Sequence, residues 1–405
     1  MGRVGVFHTQ SMPTAALRAI VVSPLIPYPA VGGGHKRTLR LIEAIERGGA
    51  HPHLLSADAD GAVGAEALRA RGWTVETFPA PSASLLNRAR QHRRRLPGPH
   101  APVLGERLRS LAAERTAFVQ LEHTLSACYL DDVRISTVLS LHNVDSRVLA
   151  MLARAERTLS PGWARAWGRW QAMRASERRG AAAADAVLCV SRADVAHFSS
   201  LGNPILVPNG VDDELFDLDE QPSGREDVLF FGQFGYAPNS HGVLHFLKEG
   251  WPRLVAARPK ARLRLVGREL EGELARCAAA SERVDAVGFV EDIGTELARA
   301  SVVIVPLWQG GGTRLKVLEA LAAARPVIGT PLGVEQIGFE AGLHGHLGST
   351  PGELADATAL LLADPAKARA LGRAGRRLAE RYRWREVTRP AEELYAQLLE
   401  RAAGG

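Results

Sequence analysis

A glycine-rich segment at residues 306–320 carries the side chains best suited to chemistry. It reads PLWQGGGTRLKVLEA and joins a short apolar run, residues 301–306, to a stretch whose leucines recur at helical spacing. Glycines let a ligand approach the backbone, and the first amides of a helix favour negative charge. Arg314 and Lys316 add cations to the predicted first turn, where they are unfavourable unless an anion compensates. The segment therefore predicts a phosphate-binding site, whose glycines are Gly310, Gly311 and Gly312.

Two other polar residues of this segment fit the same hypothesis. Thr313 is a candidate N-cap for the predicted helix. Glu319 lies five residues after Arg314, and a carboxylate beside a phosphate site suits the hydroxyl groups of a ribose. Structural roles are the alternatives. A glycine turn can serve close packing alone, and Glu319 can be a solvated or salt-bridged helix residue.

The elements around this segment alternate between strands and helices. Apolar runs predict five parallel strands in each half of the chain, separated by helical stretches rich in Ala, Arg and Leu. The predicted strands are residues 19–23, 118–122, 137–142, 186–190, 205–207, 227–232, 262–266, 286–289, 302–305 and 327–329. Two doubly wound sheets place the loops at their carboxyl ends around a shared cleft, where ligands bind in such sheets. The Gly33 loop and the Gly311 loop are then expected to face each other.

Length, cysteines and hydropathy narrow the class of protein. A chain of 405 residues predicts two domains. The three cysteines, Cys128, Cys189 and Cys277, lie far apart without metal-ligand spacing, so we expect a reducing, cytoplasmic compartment. The sequence has neither a signal-peptide pattern nor eighteen consecutive apolar residues, so we expect no membrane span. No acidic metal motif or His/Cys cluster is evident, which predicts chemistry without a metal ion or other cofactor.

Five segments, in order along the chain, resemble family-4 retaining glycosyltransferases of the GT-B fold. Residues 306–330, which end in EALAAARPVIGT, resemble the donor-binding signature of that family. The other segments are the first strand and glycine loop at 19–37, the histidine loop at 140–146, the strand at 185–191 and VPNGVD at 207–212. The most similar members are bacterial sugar transferases of surface-polysaccharide or secondary-metabolite assembly.

The resemblance implies a domain organisation and a reaction. Residues 1–208, of which 1–17 are a candidate extension, would form a Rossmann-like acceptor domain, and residues 209–383 a Rossmann-like donor-nucleotide domain. Residues 384–405 would form a helix that crosses back onto the first domain. Members transfer a sugar, here hexose-like, from a nucleoside diphosphate sugar to a hydroxyl or amine of a small-molecule, glycan or lipid-linked acceptor. The favoured proposal for the family is attack on the face of the leaving group, with retention.

The resemblance also assigns residues to the site. His142 follows a predicted strand and matches the histidine that hydrogen-bonds the donor sugar, with a purely structural loop contact as the alternative. Asp145 either orients His142 or caps a helix. The remaining matches to donor or acceptor contacts are Gly33, Gly34, Arg37, Gly232, Gly267 and Phe289. For the first three of these, the alternative is an ordinary tight turn with a solvated arginine.

Two departures from the motifs of the family bear on the chemistry. The common donor motif has two glutamates, and Gly311 occupies the position of the first. The Arg and Lys usual after the first strand of the second domain are absent, since no cation follows that strand before Lys248. Our hypothesis is that Arg314 and Lys316 hold the diphosphate instead. The alternatives are a noncatalytic nucleotide-sugar-binding or partner subunit, and a sugar-nucleotide epimerase or pseudo-glycosyltransferase.

Charge and aromatic patterns on the predicted surface bear on whether the protein contacts nucleic acid or a membrane. The formal net charge is +6, but no motif supports binding of nucleic acid, so we expect none. Arginines cluster at residues 88–95, and such a charge run favours a solvated basic loop. Leucines accompany the cluster, which makes peripheral attachment to the inner membrane face the alternative. Trp163, Trp167 and Trp170 share one side of a predicted helix. This spacing predicts a buried face, with an interfacial belt or an acceptor platform as the alternatives.

Overall fold

Two parallel β-sheets with helices on both faces make up the protein in the computed structural model. The structure describes residues 17–30, 32–58, 61–79, 100–155, 161–220, 225–310 and 314–404. Its two sheets confirm the predicted fold class of two doubly wound α/β domains. The predicted basic cluster at residues 88–95 and residues 1–16 of the predicted extension lie outside the described residues.

The first sheet contains seven strands, all paired in parallel. They are β1 Arg18–Ser23, β2 His51–Ser56, β3 Thr74–Thr77, β4 Thr116–Glu122, β5 Thr137–Ser140, β6 Ala186–Cys189 and β7 Pro204–Leu206. Their order across the sheet is β3-β2-β1-β4-β5-β6-β7. The direction of winding therefore reverses between β1 and β4, and a crevice opens at the carboxyl ends of these two strands.

The second sheet contains six parallel strands. They are β8 Asp227–Phe231, β9 Arg262–Val266, β10 Val284–Gly288, β11 Val302–Val305, β12 Val327–Gly329 and β13 Gly345–Leu347. Their order is β10-β9-β8-β11-β12-β13. Here the winding reverses between β8 and β11, so the loop after β8 and the glycine segment after β11 lie at the second crevice.

All ten predicted strands are present, and three further strands were not predicted. The missed strands, β2, β3 and β13, have the sequences HPHLLS, TVET and GHL. β3 and β13 are short strands at the edges of their sheets. β2 carries a polar residue, His53, whose side chain pairs with Glu76 of β3 at 2.8 Å. Continuous apolar runs mark only strands that are buried on both faces.

Sixteen α-helices lie within the described ranges. Those of the first domain are α1 Gly33–Arg47, α2 Ala62–Ala70, α3 Pro102–Ala112, α4 His123–Ser126, α5 Asp145–Ala155, α6 Pro161–Ala183 and α7 Arg192–Phe198. Those that follow are α8 Ala237–His245, α9 Trp251–Ala257, α10 Gly272–Ala280, α11 Ile293–Arg299, α12 Leu315–Ala322, α13 Pro351–Ala363, α14 Pro365–Ala379, α15 Trp384–Val387 and α16 Arg389–Gly404. No helix in these ranges has the length and hydropathy needed to cross a membrane.

Alternate strand residues fill two cores in each domain. In β1, Ile20 belongs to the core on one face of the sheet, whereas Val21 belongs to the core on the other. In β8, Phe230 and Leu229 divide in the same way. Successive side chains of a strand point to opposite faces, so a strand covered on both sides must be apolar throughout. This rigid frame fixes where the loops at the carboxyl edge begin.

The tryptophan stripe of α6 is not buried as predicted. Trp167 is 44% exposed, and Trp163 and Trp170 are half-buried. The buried residues of α6 lie in its carboxyl half, where Glu177 and Ala181 are fully covered. The expectation of core or interdomain packing is therefore wrong for Trp167.

The last helix returns to the first domain, as the fold class predicts. Ala391, Tyr395 and Leu398 of α16 are buried in the same core as residues of α1 and β4. The Tyr395 ring stacks on Phe118, with 5.2 Å between ring centroids. The Tyr395 hydroxyl donates to Gln120 Oε1 at 2.6 Å. The chain end is thus joined to the central strand of the first sheet.

We expect Tyr395→Phe to lower the free energy of unfolding by about 1–3 kcal/mol, because it leaves the buried Gln120 oxygen without its donor. Urea denaturation measures this change. Gln397→Ala, on the exposed face of the same helix, is the matched control and should stay within about 0.5 kcal/mol of the wild type. A Tyr395→Phe protein as stable as the wild type would show that this hydrogen bond does not hold α16.

Candidate active site

The two crevices meet where α1 and α12 begin. Gly33 is the first residue of α1, and Leu315 is the first residue of α12. They approach so closely that a Cβ on Gly33 would lie 2.6 Å from Leu315 Cδ1. A Cβ on Gly34 would lie 3.3 Å from His142 Nδ1. Both predicted glycines thus allow close contact between elements at the cleft.

The start of α12 differs in detail from the prediction. Its N-cap position is Arg314, not the predicted Thr313, and the Arg314 side chain makes no capping hydrogen bond. Gly311, Gly312 and Thr313 lie outside the described residues. The amides that favour an anion are therefore those of Leu315 and Lys316, because the amides of Val317 and Leu318 donate to the Arg314 carbonyl.

Arg314 is buried beside the glycine segment. It is 5% exposed, and its Nη2 donates to the Gly310 carbonyl at 3.3 Å. Its Nε donates to the Leu332 carbonyl at 3.3 Å, and Nη2 lies 3.8 Å from the Glu335 carboxylate. Gly310 itself has φ 117°, which glycine adopts without strain. Arg314 therefore joins the start of the glycine segment to the turn after β12.

The Lys316 side chain is partly exposed, but its ammonium group is enclosed at the carboxyl end of β8. Its Nζ donates to Asn239 Oδ1 at 2.7 Å and lies 4.2 Å from the centroid of the Phe230 ring. A Cβ on Gly232 would lie 2.9 Å from this nitrogen. Burial, together with the nearby Arg314, lowers the pKa of Lys316 to about 7, although Glu319 opposes the shift. Lys316 forms no ion pair within the described part of the chain.

Asn239 is a site residue that sequence analysis missed. It is buried in the first turn of α8, and its Nδ2 donates to the Gln233 carbonyl at 2.7 Å. Its side chain therefore connects the loop after β8 with Lys316 on α12. The family resemblance indicated a missing cation after β8, and Lys316 brings a cation to this position from a different element.

The predicted nucleoside contacts lie along the neighbouring strand ends. Gly232 and Gly267 follow β8 and β9 with φ 150° and 149°. A Cβ on Gly267 would lie 1.8 Å from the Gly232 carbonyl oxygen, so this position requires glycine. Phe289 follows β10 and is 43% exposed, with the Arg268 guanidinium 4.0 Å from its ring centroid. The strand ends therefore provide backbone that no side chain covers at Gly232 and Gly267, and an exposed aromatic ring at Phe289.

Glu319 forms an ion pair across the cleft. Its Oε1 accepts from Lys36 Nζ of α1 at 2.6 Å, and the same nitrogen lies 3.0 Å from Asp212. Arg40, one turn further along α1, lies 2.7 Å from the other oxygen of Asp212. Burial lowers the pKa of Lys36, but Glu319 and Asp212 outweigh this effect and raise it above its usual value. Sequence analysis did not single out Lys36, because its partners are distant in the chain.

His142 is held by a buried carboxylate. Its Nε2 lies 2.6 Å from Glu122 Oε2, while its Nδ1 is buried and has no hydrogen-bond partner among the residues that the structure describes. Glu122 is fully buried and also accepts from Thr38 at 3.1 Å. Burial raises the pKa of Glu122, but hydrogen bonding to His142 and the charges of nearby histidines and Arg37 outweigh it and lower the pKa. Glu122 is therefore an acceptor, and His142 donates its Nε2 proton to it.

Further polar residues extend this arrangement to the last helix. Gln120 Nε2 donates to Glu122 Oε1 at 2.6 Å, and Gln120 Oε1 accepts from Tyr395. A continuous chain of buried hydrogen bonds therefore runs from Tyr395 to His142. Sequence analysis missed Gln120 and Glu122, although two polar residues in the otherwise apolar run AFVQLE are a signal that could have indicated them.

His123 completes the group at the end of β4. Its ring centroid lies 3.6 Å from that of His142, and its backbone has φ 64°. Burial and the proximity of His142 lower the pKa of His123 to about 3. His123 therefore stays neutral near neutral pH and packs as an uncharged ring against His142.

The remaining predicted residues have structural contacts. Arg37 is fully buried, so the solvated alternative is wrong, and its Nη1 donates to the Val207 carbonyl at 2.6 Å. Asp145 is the first residue of α5 and accepts from Thr124 at 3.0 Å. In the described ranges, no group of His, Cys, Asp and Glu side chains is arranged to hold a metal ion.

Solved structures with the same architecture span nearly the whole chain. Sucrose-phosphate synthase from Thermosynechococcus elongatus is 20% identical, with a TM-score of 0.70 over 95% of this chain and 100% of that one. HepE from Anabaena in complex with UDP is 19% identical, with a TM-score of 0.67 over 94% and 100%. HepE in complex with UDP-glucose is 17% identical, with a TM-score of 0.68 over 95% of this chain and 100% of that one. No curated protein sequence matches the chain.

Two family models match successive parts of the sequence. Residues 31–215 match the model described as Glycosyltransferase Family 4, and residues 225–364 match the model described as Glycosyl transferases group 1. The protein is a GT-B glycosyltransferase. The predicted transferase class and fold are thereby confirmed. In this glycosyltransferase, the matched ranges contain both α1 and α12, whose amino ends form the cleft.

The low pKa of His123 predicts how the stability of the glycosyltransferase depends on pH. The unfolded chain binds a proton at His123 near pH 6.5, whereas the folded protein does so only near pH 3. Stability is therefore lost as pH falls below 6.5. His123→Asn, which tolerates a positive φ, removes this titration. Between pH 6.5 and about pH 5, the wild type should lose up to about 2 kcal/mol more than the variant in urea denaturation. Parallel pH profiles would contradict the assignment.

Proposed function

We propose that the protein is a family-4 enzyme that transfers a hexose-like sugar, with retention, from a nucleoside diphosphate sugar to an acceptor hydroxyl or amine. One observation supports this proposal most directly. The buried ammonium of Lys316 lies in the first turn of α12, at the carboxyl edge of the second sheet. In the proposed reaction, cationic side chains and helix amides stabilise the leaving diphosphate without a metal ion.

The electrostatics of Lys316 favour a diphosphate as its ligand. Its partners, the Asn239 amide oxygen and the Phe230 ring, are both neutral. Burial without a counter-charge disfavours the ammonium form, which explains the low pKa. A diphosphate beside Nζ supplies that counter-charge, and the amides at the start of α12 add hydrogen bonds. The same groups stabilise the negative charge that develops on the leaving group.

Arg314 has a different role in this proposal from the one first expected. Its donors already serve the Gly310 and Leu332 carbonyls, and its charge lies near Glu335. We therefore assign Arg314 to positioning the glycine segment around the diphosphate. Its positive charge still contributes to the potential at the site, because it lies near enough to Lys316 to lower the pKa of that residue.

The nucleoside would lie along the strand ends of the second sheet. We propose that Glu319 binds the ribose hydroxyls, as a carboxylate can beside a phosphate site. The exposed Phe289 ring offers a face for stacking the base, and the glycines after β8 and β9 leave the backbone accessible. We propose uracil as the base, supported by the UDP and UDP-glucose in the complexes of HepE.

His142 would contact the donor sugar from the first domain. Because Glu122 accepts the Nε2 proton, a neutral His142 keeps Nδ1 unprotonated as a hydrogen-bond acceptor. Nδ1 is covered at Gly34, so in this proposal the start of α1 moves aside before a sugar hydroxyl donates to it. Glu122 is a positioning residue in this proposal. The acceptor attacks the face from which the diphosphate leaves, and a phosphate oxygen takes the proton of the attacking hydroxyl or amine.

We propose a small-molecule, glycan or lipid-linked acceptor. The family resemblance supports a role in bacterial polysaccharide, glycoconjugate or secondary-metabolite assembly. We further propose a cytoplasmic location, supported by the three widely spaced cysteines, with peripheral contact at the inner membrane face as the alternative to a purely soluble enzyme.

The proposed function predicts both nucleotide preference and a pH dependence. Calorimetry with UDP, GDP, dTDP and ADP should show selective binding of UDP, and UDP-glucose should slowly release UDP without an acceptor.

Because only protonated Lys316 attracts the diphosphate, affinity for UDP should fall by up to about tenfold per pH unit above pH 7. Lys316→Met keeps the length of the side chain without its charge, and should bind UDP weakly with a flat pH profile.

Lys248→Met is the matched control, because Lys248 is an exposed lysine of the same domain that pairs with Glu273. It should bind UDP as the wild type does. Wild-type affinity in Lys316→Met, with the pH slope retained, would contradict the assignment of the diphosphate. UDP binding without any release of UDP from UDP-glucose would favour a noncatalytic binding subunit.

A further inference from the structure

Helices α5 and α6 form a projection beside the cleft. α5 begins at Asp145, three residues after His142, and packs along α6. α6 has 23 residues, a length of about 34 Å, and leads into β6. β6 has four residues and spans only about 13 Å. Since α6 is buried only in its carboxyl half, its amino half extends past the carboxyl edge of the sheet, where the cleft lies.

One face of this projection combines aromatic and cationic side chains. Trp163, Trp167, Trp170, Arg174 and Arg178 are spaced by four, three, four and four residues, which places them along one side of the helix. Successive tryptophan rings pack against each other, with centroid distances of 6.3 Å and 6.5 Å. Both arginines are exposed. These five residues are called the Trp–Arg stripe below.

The charge around the stripe has one sign. The exposed charged side chains described on α5 and α6 are all arginines: Arg147, Arg154, Arg165, Arg169, Arg174, Arg178 and Arg179. The two carboxylates described on these helices, Asp145 and Glu177, are not exposed. Such a surface attracts a polyanion.

A histidine on the neighbouring helix α7 shows that positive charge is concentrated at the basic end of the stripe. Burial lowers the pKa of His197 on α7, and the charges of Arg147, Arg174 and Arg178 lower it further. These arginines therefore lie close together. Asp194 is the opposing carboxylate, and it lies 3.6 Å from Arg147. The cluster keeps a net positive charge after this pair is formed.

We propose that the Trp–Arg stripe docks the protein onto an anionic phospholipid membrane. Tryptophan rings partition to the level of the lipid headgroups, and arginine guanidinium groups bind lipid phosphates. The stripe ends in exposed cations that reach the phosphates while Trp167 enters the interface. Given the proposed function, on which this step rests, docking holds the cleft at the membrane and selects a lipid-linked acceptor.

Vesicle sedimentation tests the surface without any nucleotide. The wild type should sediment with vesicles of phosphatidylcholine and phosphatidylglycerol, but not with phosphatidylcholine alone. Each arginine near an anionic surface contributes about fivefold to binding, so Arg174→Gln with Arg178→Gln should weaken it by about 25-fold. Trp167→Ser should also weaken it, and quenching by brominated lipids should fall in this variant.

The matched control removes the same charge from the opposite face of α6. Arg165→Gln with Arg169→Gln should weaken binding by no more than about threefold, because that face lies about a helix diameter away and salt screens charges over about 8–10 Å. If both double variants lost the same affinity for vesicles, the assignment of the Trp–Arg stripe as the docking surface would be wrong, and net charge alone would explain the binding. Absence of vesicle binding by the wild type would overturn membrane docking altogether.

Calorimetry with UDP separates this proposal from the proposed function. The stripe lies in the first domain and contains none of the residues proposed for the donor site, so its variants should keep the wild-type affinity for UDP. Normal UDP binding without vesicle binding would reject only the membrane surface. Vesicle binding without UDP binding would reject the donor site and leave the membrane surface standing.

Discussion

The enclosed ammonium of Lys316 is the constraint around which the second domain's side of the cleft is organised. A lysine without a carboxylate partner is unfavourable in a protein interior. Here it is tolerated through one amide oxygen from Asn239 and one aromatic face from Phe230. The glycine at position 232 is favoured by its φ of 150°, and a Cβ there would lie 2.9 Å from Nζ. These features together leave a cationic site at the end of β8 and the beginning of α12, ready for an anion.

A second buried charge, the Glu122 carboxylate, organises the first domain's side of the cleft. It fixes the orientation of His142 and receives a hydrogen bond from Gln120, which in turn binds Tyr395 of α16. The crossing helix is therefore part of the support of the cleft and not merely a terminal element. The ion pair between Lys36 and Glu319 joins the two sides.

The sequence allowed prediction of the frame better than of the side-chain network. Buried strands such as β8 and β11 were predictable because both of their faces need apolar residues, and the glycine segment because α12 had to begin near it. The pairing of Lys36 with Glu319 joins residues 283 positions apart, and no local pattern indicates it. Trp167 was expected to be buried because helical spacing predicts a face, but spacing alone does not show what covers that face.

A crystal structure of the protein with UDP tests the central claim most directly. If the account is right, the β-phosphate lies within hydrogen-bond distance of Lys316 Nζ and of the first amides of α12. The ribose then lies at Glu319, and the base lies at the end of β9 or β10. A diphosphate bound away from Lys316, with the bond from Nζ to Asn239 unchanged and no contact to α12, would contradict the account.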